Sequence, residues 1–351
     1  MCNYFTFALY CLSVTSILFS MKEILNHLFE HHTLSKSEAK AALTMITQGG
    51  ANPAQLAAFC TVFRMRSIKV EELEGFRDAM LDLCVKVDLG DFDPIDLCGT
   101  GGDGKNTFNI STLSTFVAAG AGVKVAKHGN YGVSSSVGSS NVLEYLGIKF
   151  TNETQVLRNC MEASGICIMH APLFHPAMKN MAPVRKELGV KTFFNMLGPM
   201  VNPSFPHKQL VGVYSLELAR LYAYLYQNSG KRFVILHALD GYDEISLTGN
   251  FKMMSDMAEK TLSPSDIGKD CVTQEDISGG DSIVESAKIF IDVLKGKGTK
   301  AQNQVVIANA GMAIYCANPS MSLMDAQLKA EESLQSGAAL KSFEVLKKVL
   351  G

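Results

Sequence analysis

Residues 95–112 have the sequence IDLCGTGGDGKNTFNIST, and this stretch organises the rest of the chain. Ile95 to Cys98 predicts a short strand. The strand stops at the glycine-rich residues 99–104, where missing side chains let backbone N–H groups approach an anion closely. Asn109, Ser111 and Thr112 then predict a helix start, and a helix N-terminus is a ready site for phosphate. We therefore predict a strand, a phosphate-binding loop and a helix, in that order.

A second loop of the same kind follows the next strand. Val123 to Ala126 predicts this strand, which should end in Lys127-His-Gly-Asn130 and continue into the serine- and glycine-rich run from Ser134 to Ser140. Two anion-binding loops with one lysine between them predict a ligand that carries phosphate at both ends.

Two alternatives explain the same glycines. Gly99, Gly101 and Gly104 match G-x-G-x-x-G, the dinucleotide fingerprint, but the predicted helix starts too late for it. The second strand ends in Lys127, where that fingerprint requires an acid for the ribose. Plain tight turns would explain the glycines but not the added Asn, Ser, Thr and Lys residues.

Composition narrows the class of protein. The chain has 351 residues, of which 47% are hydrophobic, so it can bury a full core and is expected to form two domains. Its net charge of −2 gives no electrostatic reason to expect nucleic acid. The nine cysteines form no C-x-x-C pair, which argues against zinc and indicates reduced thiols in the cytoplasm.

The first 20 residues differ from the rest. Met1 to Ser20 contains no charged residue and has the length that a helix needs to span a bilayer. A signal peptide would need a basic segment, and no basic residue precedes Lys22. We expect translation to begin at Met21 and the protein to have no membrane segment, with a membrane anchor as the open alternative.

The chain after Met21 predicts an α/β protein: a small all-helical domain, and a larger α/β domain whose mainly parallel central sheet is flanked by helices. Four helices are expected up to Val87, two of them marked by the capping box Ser35-x-x-Glu38 and by Asn52-Pro53. Residues 91–170 then alternate strand and helix, as parallel sheets do.

Further elements complete this prediction. Asn141-x-x-Glu144 should cap a helix, and residues 171–188 should be helical. Strands are expected at residues 210–214 and 233–237, with a helix at 216–227 between them. The C-terminal part should form a helix capped by Ser282 and three helical segments.

Seven motifs together resemble the anthranilate phosphoribosyltransferase family. Their order and spacing match that family from Met21 to the C-terminus. They are Gly99-Thr-Gly-Gly-Asp103, Asn109-Ile-Ser-Thr112, Lys127-His-Gly-Asn130, His175-Pro-Ala-Met-Lys179, Pro183-Val-Arg185, Phe194-Asn-Met-Leu-Gly-Pro199 and Asp243-Glu244.

The resemblance implies a domain organisation. A helical domain would comprise residues 21–90, joined by about 172–200, and the α/β domain would comprise 91–171 and 201–351; residues 1–20 would be an extension outside both. It also implies a cytoplasmic homodimer that associates through the helical domain and binds no nucleic acid.

The resemblance also implies the reaction. The amine of anthranilate would displace pyrophosphate from phosphoribosyl pyrophosphate (PRPP), giving N-(5-phosphoribosyl)anthranilate in tryptophan biosynthesis. An oxocarbenium-like transition state needs alignment and stabilisation of the leaving group more than a strong base. Mg²⁺ would supply that stabilisation, held by Asp243, Glu244 and the hydroxyl of Ser111.

Residue by residue, the family's substrate contacts correspond to two sets. Lys127 and Asn130 would position the reacting groups, and no residue stands out as a general base. The PRPP set is Gly99, Gly102, Asp103, Thr107, Asn109, Ile110, Ser111, Thr112, Lys127, His128, Gly129, Asn130, Ser134, Ser135 and Ser139. The anthranilate set is Gly99, Asn130, His175 and Arg185.

The chain departs from the family pattern at three places. Tyr131 stands where an arginine is common and Ser136 where a lysine is common, so positive charge is lost near the substrate loop. Ser140-Asn141 replaces a usual Ala-Asp pair. Two alternative functions stay open: an enzyme like the pyrimidine nucleoside phosphorylases, which share this architecture, and a catalytically silent relative that binds nucleic acid.

Overall fold

The protein is described here from a computed structural model that covers residues 20–132 and 137–351. The expectations for residues 1–19, Ser134, Ser135 and Ser136 lie outside the described residues. Within the described ranges, no helix combines the length and the apolar character that crossing a membrane requires.

Four helices form the N-terminal part of the chain. They are α1 (Met21–Phe29), α2 (Lys36–Thr47), α3 (Pro53–Met65) and α4 (Val70–Asp82). The predicted capping box is present, since Ser35 accepts a hydrogen bond from the Glu38 amide while Glu38 reaches back to the Ser35 amide. An ion pair between the half-buried Arg66 and the buried Glu72 connects the start of α4 to the preceding turn.

Seven strands form one sheet in the described residues, in the order β3-β2-β1-β4-β5-β6-β7. The first five strands are parallel, and the last two add an antiparallel edge. The strands are β1 (Ile95–Gly99), β2 (Val125–Gly129), β3 (Ile166–His170), β4 (Lys208–Gly212), β5 (Arg232–Ala238), β6 (Phe251–Ser255) and β7 (Glu259–Leu262).

Helices cover both faces of this sheet. Those between and after the strands are α5 (Ile110–Gly120), α6 (Ser139–Tyr145), α7 (Thr154–Ser164), α8 (Ala171–Phe174), α9 (Ala182–Leu188), α10 (Phe194–Leu197), α11 (Leu216–Gln227), α12 (Ile283–Leu294), α13 (Lys300–Ala317), α14 (Leu323–Gln335) and α15 (Ala338–Leu350). The predicted fold class, a helical part beside a mainly parallel sheet flanked by helices, is confirmed.

The two faces of the sheet belong to different hydrophobic cores. Because side chains alternate along a strand, Leu210 and Val234 point into the core shared with α5, α13 and α15. Val211 and Ile235 point into the core shared with the N-terminal helices, α9, α10 and α11. The helical part therefore packs on one face of the sheet, and five phenylalanines join its core: Phe59, Phe63, Phe76, Phe193 and Phe194.

The strand order reverses between β1 and β4, the place where ligands bind in open α/β sheets. Gly99 and Gly212 are paired there at the ends of the two strands. A Cβ on Gly99 would lie 2.5 Å from Oδ2 of Asp243, and a Cβ on Gly212 would lie 1.5 Å from the backbone carbonyl oxygen of Asp243. Two residues without side chains thus let the Asp243 segment pass across the strand ends.

Two local predictions are corrected by the structure, and one element is added. Residues 171–188 are not one helix, because a 3₁₀ turn at Pro176–Asn180 separates α8 from α9. Asn141 is not the first cap of α6; it lies in the first turn, where its Oδ1 accepts from the Gly138 amide. The hairpin of β6 and β7 is an addition that the sequence pattern does not predict.

We predict that Gly212→Ala lowers stability by about 1–3 kcal/mol or more, since the added methyl would overlap a backbone carbonyl and force the Asp243 segment outward. Thermal unfolding measures the loss. Gly249→Ala is the matched control, because its Cβ would meet only one atom, at 3.9 Å. Equal melting temperatures for the two variants would contradict the packing constraint.

Candidate active site

A cleft of about 760 Å³ lies at the carboxyl ends of β1 and β2. The glycine-rich loop after β1 and the loop after β2 form one wall. The segment from α8 to Val201, which shares its core with the N-terminal helices, forms the other. Residues far apart in sequence therefore face one another across a space large enough for a phosphorylated sugar and an aromatic ring.

The glycine-rich loop is shaped by its backbone. Gly101, Gly102 and Gly104 all have positive φ, between 62° and 79°, which side chains rarely permit. The Gly101 amide donates to Oδ2 of Asp243 at 2.6 Å. The loop predicted to bind phosphate is thus anchored to an acidic segment from the other side of the strand reversal.

Three carboxyl groups crowd at this end of the cleft: Asp103, Asp243 and Glu244. Burial raises the pKa of Asp243 well above its usual range, and the charges of Glu244 and Asp103 raise it further. Burial also raises the pKa of Glu244 to about 7, although the Ser111 amide at the start of α5 donates to it at 2.8 Å. A cation placed between these three carboxyl groups would favour the ionised form of each.

These oxygens fit Mg²⁺ held partly by a substrate. Within residues 20–132 and 137–351, no group of three or more His, Cys, Asp or Glu side chains is arranged to hold a metal ion by itself. Mg²⁺ usually takes one or two carboxylates together with waters and phosphate oxygens, and needs no such group. The donor set here therefore suits a metal that arrives with pyrophosphate.

Lys127 lies within its strand, whereas the sequence predicted it to follow the strand. It lies inside β2 and is buried, and its Nζ donates to the Leu97 carbonyl oxygen at 2.8 Å. Burial lowers the pKa of its amine, while the carboxylates of Asp96 and Glu244 act in the opposite direction. The strand extends further than the sequence indicated because these residues pair with β3.

Arg185 lies on α9, in the other wall of the cleft. Its guanidinium carbon is 5.2 Å from the centre of the Phe194 ring. Burial lowers the pKa of this arginine. No hydrogen bond or ion pair to its side chain occurs within the part of the chain that the structure describes, so its five donors are available to an anionic ligand.

His128 and His175 lie side by side along the cleft, with ring centres 5.1 Å apart. Each ring is tied to a backbone carbonyl: His128 Nδ1 to Gly198 at 3.3 Å, and His175 Nε2 to Val201 at 2.9 Å. Burial lowers the pKa of His128 to about 3 and that of His175 to about 4. Both rings are therefore neutral near pH 7.

The loop after β2 is held by its own polar groups. Asn130 Oδ1 accepts from the Tyr131 amide at 2.8 Å, and the Asn130 carbonyl accepts from the Ser139 hydroxyl at 3.2 Å. Tyr131, in the place of the common arginine, packs edge-on against His170 and donates to Glu144. Its side chain thus faces α6 and β3 and supplies no charge to the cleft.

Most predicted site residues meet in this cleft. Those that line it are Gly99, Gly102, Asp103, Thr107, Asn109, Ser111, Thr112, Lys127, His128, Gly129, Asn130, Ser139, His175, Arg185, Asp243 and Glu244. Ile110 does not line it, because its side chain is buried in the core beneath α5. Phe194 and Lys105 line it without having been predicted; Phe194 belonged to a quoted motif, whereas Lys105 carried no signal beyond its closeness to the glycines.

Comparison with known proteins identifies the family of the chain. Two family models match it, a glycosyl transferase helical bundle domain at residues 22–84 and a glycosyl transferase α/β domain at 92–340. A curated anthranilate phosphoribosyltransferase from Christiangramia forsetii is 62% identical over 329 residues, which cover 94% of this chain and 99% of that protein. The chain belongs to the anthranilate phosphoribosyltransferase family. The resemblance drawn from the seven motifs is thereby confirmed, as is the assignment to the glycosyltransferases.

Solved structures of the anthranilate phosphoribosyltransferase family share the fold. The enzyme from Thermus thermophilus superposes with a TM-score of 0.87 at 31% identity, covering 95% of this chain and 99% of that one. The Saccharomyces cerevisiae enzyme, solved in complex with PRPP and Mg, superposes with a TM-score of 0.86 at 28% identity, covering 94% and 97%.

We predict that Mg²⁺ binding strengthens as pH rises through about 7, because Glu244 must lose its proton to bind the ion. Its folded pKa lies above the ordinary 4.5, so deprotonation costs stability as pH rises unless a cation is bound. With pyrophosphate present, Mg²⁺ should raise the melting temperature more at pH 8 than at pH 6.

The comparison variant is Glu244→Gln, in which this pH difference should shrink, whereas Glu259→Gln, at an exposed carboxylate of β7, should leave it unchanged. A stabilisation by Mg²⁺ that has the same pH dependence in all three proteins would exclude Glu244 as a ligand.

Proposed function

We propose that this protein transfers the phosphoribosyl group of PRPP to the amine of anthranilate and releases pyrophosphate, as a step of tryptophan biosynthesis. The observation that carries the proposal is that one cleft is lined both by three carboxyl groups with raised pKa and by a half-buried arginine that lies over an aromatic ring, whose side chain has no hydrogen bond or ion pair within the described residues.

The acidic end suits the phosphates of the donor. Asp243 and Glu244, with the hydroxyl of Ser111, would hold Mg²⁺, whose charge would stabilise the departing pyrophosphate. The positive-φ glycines of the loop after β1 and the N-terminus of α5 face the same space, and both favour anions.

The Arg185 end suits the acceptor. A planar guanidinium binds a carboxylate through two parallel hydrogen bonds, and Phe194 beneath it offers a flat apolar surface to a benzoate ring. Asn130 and Ser139 also line this cleft, and the anomeric carbon and the amine would meet beside them. Holding both reactants in one desolvated cleft supplies the alignment that this displacement requires.

Assembly and location are part of the proposal. We infer a homodimer that forms through the N-terminal helices, and its support is a partly apolar groove of about 490 Å³ between α1 and α2 that includes Ile24 and Leu34. A cytoplasmic location is supported by seven cysteines that are all free thiols in the described residues.

The purified protein should consume anthranilate, seen as loss of its fluorescence, when mixed with PRPP and Mg²⁺. EDTA should abolish the loss, since the pyrophosphate would depart without its counter-charge. Analysis of products should show pyrophosphate in a one-to-one ratio with anthranilate consumed. Release of nucleobase from a pyrimidine nucleoside and phosphate, with no loss of anthranilate, would support the phosphorylase alternative instead.

Arg185→Ala should raise the KM for anthranilate by about 10- to 100-fold, because a bidentate charge-assisted contact of about 1.5–3 kcal/mol is removed. The KM for PRPP should change little. Lys186→Ala is the matched control, one residue along the same helix and exposed. An unchanged KM for anthranilate in Arg185→Ala would contradict the assignment of this residue.

A further inference from the structure

Two ring nitrogens in the cleft have no hydrogen-bond partner within the described protein: Nε2 of His128 and Nδ1 of His175. Both side chains are more than nine-tenths buried, with residue exposures of 7% and 4%. Buried polar atoms normally have partners, and both residues line the substrate cleft. The unpaired nitrogens therefore indicate a ligand that donates hydrogen bonds.

The partners of the opposite nitrogens fix the tautomers. A carbonyl oxygen only accepts hydrogen bonds, so Nδ1 of His128 carries its proton toward Gly198, and Nε2 of His175 carries its proton toward Val201. In each neutral ring the remaining nitrogen is then a bare lone pair. The cleft thus presents two acceptors side by side.

We propose that Nε2 of His128 takes the proton that the aryl amine loses when its nitrogen bonds to the anomeric carbon, and that Nδ1 of His175 accepts from the other N–H. This inference rests on the proposed function. The carbon–nitrogen bond forms as the bond from the anomeric carbon to the pyrophosphate oxygen breaks. The bonding electron pair leaves with pyrophosphate, and the nitrogen's excess proton passes to the imidazole.

The positions of the two rings distinguish their roles. His128 lies in β2 between Lys127 and the loop of Asn130, next to where the anomeric carbon would be held. His175 lies after α8, on the same wall as Arg185. The ring nearer the donor receives the proton, and the ring nearer the arginine orients the amine.

The electrostatics agree with this assignment. Burial, together with the charges of His175 and Lys127, makes His128 a weak base with a pKa of about 3. A weak base is sufficient, since the arylammonium formed on attack is a strong acid and gives up its proton readily. A ring that stays neutral until that moment also keeps its lone pair free for the amine.

The test is steady-state kinetics of His128→Gln, whose side-chain amide can accept a hydrogen bond but cannot take a proton. We expect kcat to fall about 100-fold, with the KM for PRPP nearly unchanged. In His128→Ala, added formate or imidazole should restore turnover in proportion to the concentration of its basic form, which a merely structural role would not produce. His175→Gln should mainly raise the KM for anthranilate.

The matched control is His237→Gln, a buried histidine outside the cleft lining that is also tied to a backbone carbonyl, that of Val213 at 2.9 Å. It should keep kcat within about threefold of the unchanged protein. If His128→Gln fails to fold, His128→Asn, which can still donate to Gly198, replaces it.

The outcomes separate the two proposals. Turnover by the unchanged protein together with an unimpaired kcat in a folded His128 variant, or a loss in His128→Ala that no added base restores, would overturn the role of His128 alone. An unchanged protein that does not consume anthranilate would overturn the proposed function and this inference with it.

Discussion

The close passage of the Asp243 segment over two paired glycines is the constraint on which the site depends. Gly99 and Gly212 end neighbouring parallel strands where the strand order reverses, and neither position has room for a Cβ. Because the backbone can lie directly on the strand ends, Asp243 reaches the Gly101 amide and Glu244 reaches the start of α5. The loop, the helix N-terminus and the acidic pair are thus held as one unit by hydrogen bonds from backbone amides to the two carboxyl groups.

The cleft also depends on how the helical part is attached. The N-terminal helices share a hydrophobic core with one face of the sheet through residues such as Val211 and Ile235. The segment that carries His175 and Arg185 contributes to that same core through Met181 and Val184. The wall that carries Arg185 is therefore fixed by packing to the strands whose ends carry the glycine-rich loop, and burial of apolar surface sets the distance between the two walls.

Local chemistry made much of the fold predictable. Capping residues such as Ser35 and Asn52 act within one helical turn, so their helices begin where the sequence indicates. Residues that depend on distant partners were harder to place: the pattern puts Lys127 after its strand, because its pairing with β3 leaves no local trace. The break in residues 171–188 likewise follows from a 3₁₀ turn after His175, which no periodicity marks. Sequence motifs were sufficient to predict most residues of the site. The position of Lys105 and the orientation of the histidine rings could be seen only in the tertiary structure.

Burial explains why the two histidines of the cleft, His128 and His175, remain uncharged. A protonated His128 would place its positive charge close to that of Lys127, which opposes protonation. It would also have no lone pair to offer an amine. Burial beneath the segment from Gly198 to Val201 removes water from both rings and holds each in one tautomer through a backbone carbonyl. The same desolvation that raises the pKa of the carboxyl groups lowers that of the histidines, so one physical cause, the exclusion of water, favours the uncharged form of both kinds of group.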